Sequence, residues 1–248
     1  MKIGSPIIHV QSVSSTNTHA AEVISRNEAV NGMVINALEQ TEGKGQNQNR
    51  WESRAGENLT FSIVVQPTGL PSSKQFLLNK MASLALKDFV QAHLTDSDIR
   101  IKWPNDIYCN NRKIAGILIN NTILGEKITW TILGVGINVN QTVFLSDAPN
   151  PVSLKMISGI HYDLELCLKM LCHYIEIRFK QLLEKKYTKI DQDYIGSLYR
   201  FGMLSDFVYK GQAIKAKITG IGEFGHLELE TLQGRKLSCD LNEVKHVI

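Results

Sequence analysis

Apolar residues alternate with polar ones in several short runs along the chain, and each run reads as a strand. Residues 7–10, 33–39, 59–66, 99–101, 107–109, 117–119 and 129–139 have this pattern. Elsewhere the spacing turns helical. Leu78, Met81, Ala82, Ala85 and Phe89 line one face of a helix expected over 73–94. Leu164, Leu168, Leu171, Ile175, Phe179 and Leu182 do the same over 163–186, with Asp163 as N-cap and Lys185 and Lys186 complementing the C-terminal dipole. A short helix is expected after Ser14-Ser15-Thr16-Asn17, whose hydroxyls suit its cap or a polar ligand, and another over 193–199. His93 reads as a solvated group or a complement to its helix C-terminus. From about residue 205 the texture becomes closely spaced β segments (207–209, 213–221, 226–230, 236–239), as in a small barrel or sandwich. The pattern predicts an α+β protein: a mixed β-sheet packed with helices, followed by a small β domain.

Three stretches break this pattern. In Lys102-Trp103-Pro104-Asn105-Asp106, the proline cannot donate to a ladder and marks a bulge or strand break. Asn110-Asn111 then suits a tight hairpin, which brings Asp106 and Lys113 together at one end of a sheet. Residues 40–51 are nearly all glycine or polar and read as a loop. Gly43 and Gly45 let its backbone approach a ligand closely, and Lys44 and Arg50 supply the charge that a phosphate requires. The spacing is not that of a nucleoside-triphosphate P-loop. Trp51, which closes the loop, offers a flat face to a purine or is a structural packing residue. Gly134 and Gly136 share one strand face, where they mark a bulge or leave room for something flat, and Asn138 follows as a polar handle.

Composition narrows the class. The 248 residues are 43% hydrophobic and 21% charged, ordinary for a globular protein of one large domain or a large one plus a small one. No apolar run is long enough for a membrane span, and the start lacks a secretory core. Cys109, Cys167, Cys172 and Cys239 lie far apart and fit reduced thiols in a cytoplasm. A net charge of +3 suits an anionic substrate and is too weak to indicate nucleic acid.

Together the motifs resemble the biotin–protein ligases. That family carries a G-R-G-R-x-G-R-x-W loop, K-W-P-N-D followed by R-K-x-x-G, and a G-x-G-I-N strand. Here these stand as residues 43–51, 102–106 with 112–116, and 134–138, and Ser15-Thr16-Asn17 matches the S-T-N signature. The resemblance implies a class II synthetase-like catalytic domain over 1–202 and an SH3-like β-barrel over 203–248. It implies that biotin and ATP form biotinyl-5′-AMP with release of diphosphate, and that the adenylate acylates one lysine of a biotin carboxyl carrier protein. Two anions must meet in this chemistry, so fixed positive charge and Mg²⁺ are expected.

By residue, the resemblance makes Lys113 the main electrostatic catalyst, touching the biotin carboxylate and the α-phosphate. Asp106 orders Mg²⁺ or the incoming lysine amine. Ser15, Thr16, Asn17 and Gln40 match biotin-binding positions, Gly116 and Gly134 match pocket walls, and Gly43, Lys44 and Gly45 match the covering loop. Gln46, Arg50, Trp51, Asn105 and Asn138 fall on the ATP or adenylate side, with Lys113 shared. The loop departs from the family pattern: Lys44, Gln46 and Asn49 replace arginines and Gln48 a glycine. Lysine gives up the bidentate geometry of arginine, so a looser hold on the acyl phosphate is expected.

The rival readings are a lipoate or other acyl ligase, a biotin-responsive DNA-binding repressor and an inert interaction module. The Trp and K-W-P-N-D motifs argue against the first. The chain starts at the expected first catalytic strand, which argues against DNA binding. The polar loop and paired glycines argue against the third. The resemblance also implies homodimers through sheet edges for many members.

Overall fold

The computed structural model describes residues 2–46, 49–146 and 150–247. Gln48, one of the loop departures, and Pro149, in a segment expected as loop, lie outside them. In chain order the first part comprises β1 (Ile7–Val13), α1 (Thr16–Ser25), β2 (Met33–Gln40), β3 (Leu59–Val65), α2 (Phe76–His93), β4 (Ile99–Lys102), β5 (Asp106–Cys109), β6 (Arg112–Leu124) and β7 (Lys127–Ile137). Then come α3 (Leu154–Ser158), α4 (Leu164–Leu183) and α5 (Tyr187–Gly196). The last part is β8 (Ser205–Tyr209), β9 (Gln212–Ile221), β10 (Leu227–Thr231), β11 (Lys236–Cys239) and β12 (Val244–His246).

The first seven strands form one mixed sheet in the order β1-β2-β3-β7-β6-β5-β4, antiparallel except for the β1–β2 pair. Period-two alternation gives the sheet two unlike faces. On one, Phe61, Ile63, Val65, Ile107, Ile117, Leu133 and Val135 join Leu78, Met81, Ala85 and Phe89 of α2 and Leu168, Leu171, Ile175 and Phe179 of α4 in the main core. Burying each large apolar side chain here contributes roughly 1.5–3 kcal/mol. On the other face, Ile35, Val64 and Ile132 pack under Ala20 and Val23 of α1. That helix rests on β2, β3 and β7. The neighbouring rows of this second face carry Lys102, Asp106, Gly116, Gly134 and Gly136.

The C-terminal strands form a separate five-stranded antiparallel sheet, β11-β10-β9-β8-β12, consistent with a small SH3-like domain. No pairing of β11 with β12 closes it into a barrel among the described residues. It docks on the first domain through the turn after β9. Trp103 Nε1 donates to the carbonyl of Gly225 at 2.9 Å, and Gly225, at φ +91°, lies against the Phe76 ring where a Cβ would collide.

Several elements differ from the sequence expectation. Lys185 adopts φ +56° just past the end of α4, which stops that helix at Leu183 and lets α5 begin at Tyr187 rather than 193. Ile190 and Tyr194, four apart and fully buried, hold α5 down. The five-residue α3, capped by Ser153 and ended by Gly159, is too short to show periodicity. The three-residue β12 was missed for the same reason. His93 is half-buried rather than solvated, its ring 4.3 Å from that of Phe89, and it stands in the last turn of α2, the position of the alternative reading as a C-terminal complement.

Candidate active site

Strand register builds the floor of the site. Lys102 pairs with Asp106, Asp106 with Gly116 and Gly116 with Gly136, one transverse row across β4, β5, β6 and β7. Leu118, Gly134 and Ser62 form the adjacent row. Lys113 lies three residues before Gly116, so in a regular strand it would point to the opposite face. The ladder instead slips: Ile107 pairs with Ala115, but Tyr108 pairs with Lys113, leaving Ile114 as an extra residue. This bulge turns Lys113 onto the Gly116 face. Its Nζ reaches Asp106 Oδ1 at 2.7 Å, with the two side chains 25% and 22% exposed, open enough for a ligand to compete. Asn110 and Asn111, at φ +47° and +66°, make the tight turn that the sequence predicts. Pro104 lies in the turn between β4 and β5, at the expected strand break.

The paired glycines are filled by the protein itself. A Cβ on Gly136 would run into the Trp51 indole, and one on Gly134 into the Asn17 amide. Their room is thus taken by side chains that the chain supplies, not left for a flat ligand. Trp51 lies over Gly116 and Gly136, with Lys113 Nζ 5.6 Å from its ring centre. Its Nε1 is buried without a partner among the described residues.

At the N-terminus of α1, Ser15 holds the cap position but its hydroxyl makes no capping bond. The cap comes from Gln40 at the end of β2, whose Oε1 accepts from Thr16 N at 2.8 Å and from Thr16 Oγ1 at 3.1 Å. Asn17 is tied inside the wall. Its Nδ2 donates to the Leu118 carbonyl at 3.1 Å and Asn120 Oδ1 at 2.8 Å, and its Oδ1 accepts from Ser62 Oγ at 2.6 Å. Thr16 and Asn17 therefore shape the pocket, while the Ser15 hydroxyl and the Gln40 amide nitrogen are left for a ligand.

These groups converge on a cavity of about 180 Å³. Ser15, Thr16, Asn17, Gln40, Lys44, Gly45, Gln46, Arg50, Trp51, Asn105, Asp106, Lys113, Gly116 and Gly134 all line it. Gly43 does not line it but borders a neighbouring cavity with Glu42, Lys44 and Gly45, where a Cβ would press on the Trp51 carbonyl and Gln40 Nε2. Both loop cations already have partners: Lys44 Nζ donates to Thr18 Oγ1 at 3.1 Å, and Arg50 Nη2 to the Thr41 carbonyl at 3.1 Å. Asn105 is buried, with its Nδ2 donating to the Ile117 carbonyl.

A second cavity, of about 480 Å³, lies alongside and shares Arg50, Trp51, Asp106 and Lys113 with the first. Asn138 lines this one, its Nδ2 donating to the Val152 carbonyl at 3.1 Å and its buried Oδ1 left without a partner among the described residues. Lys102, Tyr108, Glu52, Phe144 and Ser146 also line it, with Asn49 and Pro151, and the sequence pattern points to no role for those five. Lys102 and Tyr108 share the parity of Asp106, a signal that could have found them; Phe144 has no such pattern. Burial pushes the Lys102 ammonium below the usual lysine range against the pull of Asp106, with Lys113 adding to the downward push. Burial also raises the Tyr108 phenol, so it stays protonated. No cluster of three or more metal-ligating side chains occurs among the described residues. One carboxylate, Asp106, borders both cavities, which suits a magnesium ion carried largely by phosphate oxygens.

The family model of the biotin/lipoate A/B protein ligases matches residues 9–138. The bifunctional ligase/repressor BirA of Bacillus spizizenii is 30% identical over 245 residues, covering 94% of this chain and 72% of that protein. The biotin–protein ligase of Homo sapiens is 28% identical over 218 residues, covering 80% of this chain and 28% of its own length. Among solved structures, the biotin protein ligase of Aquifex aeolicus in complex with biotin and ATP superposes with a TM-score of 0.79 at 23% identity, covering 97% of this chain and 99% of that one.

Proposed function

This chain belongs to the biotin/lipoate A/B protein ligase family, and on that premise we propose how its two cavities divide the work of a biotin–protein ligase. The smaller cavity takes biotin and the larger takes ATP. The reaction joins them as biotinyl-5′-AMP with release of diphosphate. In the second step the amine of a lysine of a biotin carboxyl carrier protein attacks the acyl carbon, an amide forms, and AMP leaves with cleavage of the acyl–phosphate bond. The observation that carries this reading is the placement of Lys113: its ammonium lies on the boundary shared by the cavities, beside Trp51 and paired with Asp106.

Lys113 has two physical tasks. Its charge draws the biotin carboxylate and the α-phosphate together, which offsets their mutual repulsion and holds them within attacking distance. As the carboxylate oxygen bonds to phosphorus, negative charge accumulates on the phosphate oxygens and the diphosphate leaves. A fixed ammonium in a half-buried site stabilises that change more than water does. Ser15 and Gln40 orient the polar ring of biotin, and Lys44 and Gly45 cover it. Arg50 lines both cavities and so faces the nucleotide; Gln46 and Asn105, expected on the nucleotide side, line only the smaller cavity, and Trp51 forms the partition. A magnesium ion accompanying ATP would neutralise polyphosphate charge, and Asp106 is the carboxylate on the boundary of both cavities that would hold it. Once the carboxylate of biotin is consumed, Asp106 is also placed to receive the incoming lysine amine. Residues 1–202 form the catalytic unit and 203–248 the appended one.

The test is diphosphate release from ATP with biotin or lipoate supplied separately, followed by transfer to a purified carrier domain. Release with biotin alone and a biotinylated carrier support the reading. Release driven by lipoate removes it in favour of lipoate activation, the other branch of the family.

A further inference from the structure

Among the segments that line the larger cavity, two far apart in sequence lie side by side: residues 50–52, and Phe144 with Ser146. The second segment has no regular secondary structure and is largely exposed, so its backbone donors are open to water or to a side-chain acceptor. Glu52 is that acceptor. Its Oε1 accepts from Leu145 N at 2.8 Å and Gln141 Nε2 at 3.2 Å, and its Oε2 from Ser146 N at 2.7 Å. The base of this contact is rigid. Gln141 is fully buried, its Oε1 accepting from Arg54 N at 3.0 Å and Asn58 Nδ2 at 2.5 Å while its Nε2 donates to the Val143 carbonyl at 2.8 Å. Burial alone would raise the Glu52 carboxyl, but hydrogen bonds from Ser146, Leu145 and Gln141 outweigh it and hold the group below the usual carboxylate range.

We propose that Glu52 is a positioning residue for the nucleotide: its carboxylate fixes residues 143–146 where they line the cavity together with Trp51, so that Phe144 and Ser146 stand as a formed wall before ATP enters. The idea rests on reading the larger cavity as the ATP site. Backbone ordered in advance need not be ordered by the ligand, so the tie strengthens ATP binding without touching the reacting atoms. Glu52 follows Trp51 directly, so the residue that partitions the cavities and the one that ties Leu145 and Ser146 are neighbours in the chain.

Glu52→Ala removes the acceptors, and Glu52→Gln keeps the volume but turns an amide donor towards one of the backbone donors. Expected in Glu52→Ala are a KM for ATP about tenfold higher, kcat at saturating ATP within about twofold of wild type, and biotin affinity within about twofold. Glu52→Gln should fall between. In the ligand-free protein, amide exchange at Leu145 and Ser146 should accelerate in both variants. Unchanged exchange at those amides overturns the role of Glu52 whatever the cavity binds. An unchanged KM for ATP, or biotin affinity falling in step with it, overturns the nucleotide-specific role. If wild-type protein binds biotin but no ATP, the ATP-site reading fails, and the amide exchange still decides by itself whether Glu52 holds residues 145 and 146.

Discussion

Lys113 points into the site only because Ile114 is an extra residue in its strand. The family resemblance picks out the lysine, but alternation alone puts it on the wrong face, because a bulge leaves no mark in a pattern of apolar residues. Replacing Lys113 with Ala should lower the rate of adenylate formation about 10²–10³-fold, the usual scale for removing a preorganised charge. Single-turnover diphosphate release reads this directly. Gly134 and Gly136 were legible as missing side chains, but what fills their space was not, because Asn17 and Trp51 arrive from distant segments. Gly136→Ala should displace the indole and destabilise the protein by about 1–3 kcal/mol, as overpacking does. Trp emission and denaturant unfolding would show both. In the loop, Gln46→Arg should slow release of biotinyl-AMP by restoring a bidentate cation near the acyl phosphate. An unchanged off-rate in a stopped-flow chase would remove the idea of a looser hold.

Long elements were readable and short ones were not. The faces of α2 and α4 follow from apolar spacing, and Asp163 caps α4 as expected, accepting from Leu166 N at 2.9 Å. The elements α3 and β12 have five and three residues, too few to carry a period. Yet β12 brings a testable group to the interface. Both His246 ring nitrogens are buried without partners among the described residues, although the residue as a whole is only half-buried. Burial, then nearby Lys102 and Arg200, push its pKa from 6.5 down to about 3. Between those values the unfolded chain binds a proton that the folded chain refuses. Stability is therefore full above pH 6.5 and declines as pH falls towards 3, by up to about 1.4 kcal/mol per pH unit from this residue. His246→Phe, which keeps the ring packed 4.7 Å from Phe207, should flatten that part of the slope in denaturant titrations at pH 4.5 to 7. Equal slopes in the two proteins would contradict the assignment.

Across the whole molecule, one sheet face is a continuous apolar core and the other is divided between α1 and the site. This division is why the conspicuous polar and glycine stretches of the sequence, scattered between residues 15 and 138, meet around two adjoining cavities. Ser15, Thr16 and Asn17 come from the N-terminal end of α1, and the others from strand rows, or loops ending on them, that α1 leaves uncovered. The described residues contain no helix long and apolar enough to cross a membrane, and all four cysteines are buried and unpaired. The most direct test of the account is biotin-dependent diphosphate release by the purified protein with ATP and Mg²⁺, in wild type and Lys113→Ala. The account predicts one diphosphate per biotinyl-AMP formed in wild type and a loss of at least about 10²-fold in the variant. Release that is independent of biotin, or undiminished without the Lys113 ammonium, would contradict it.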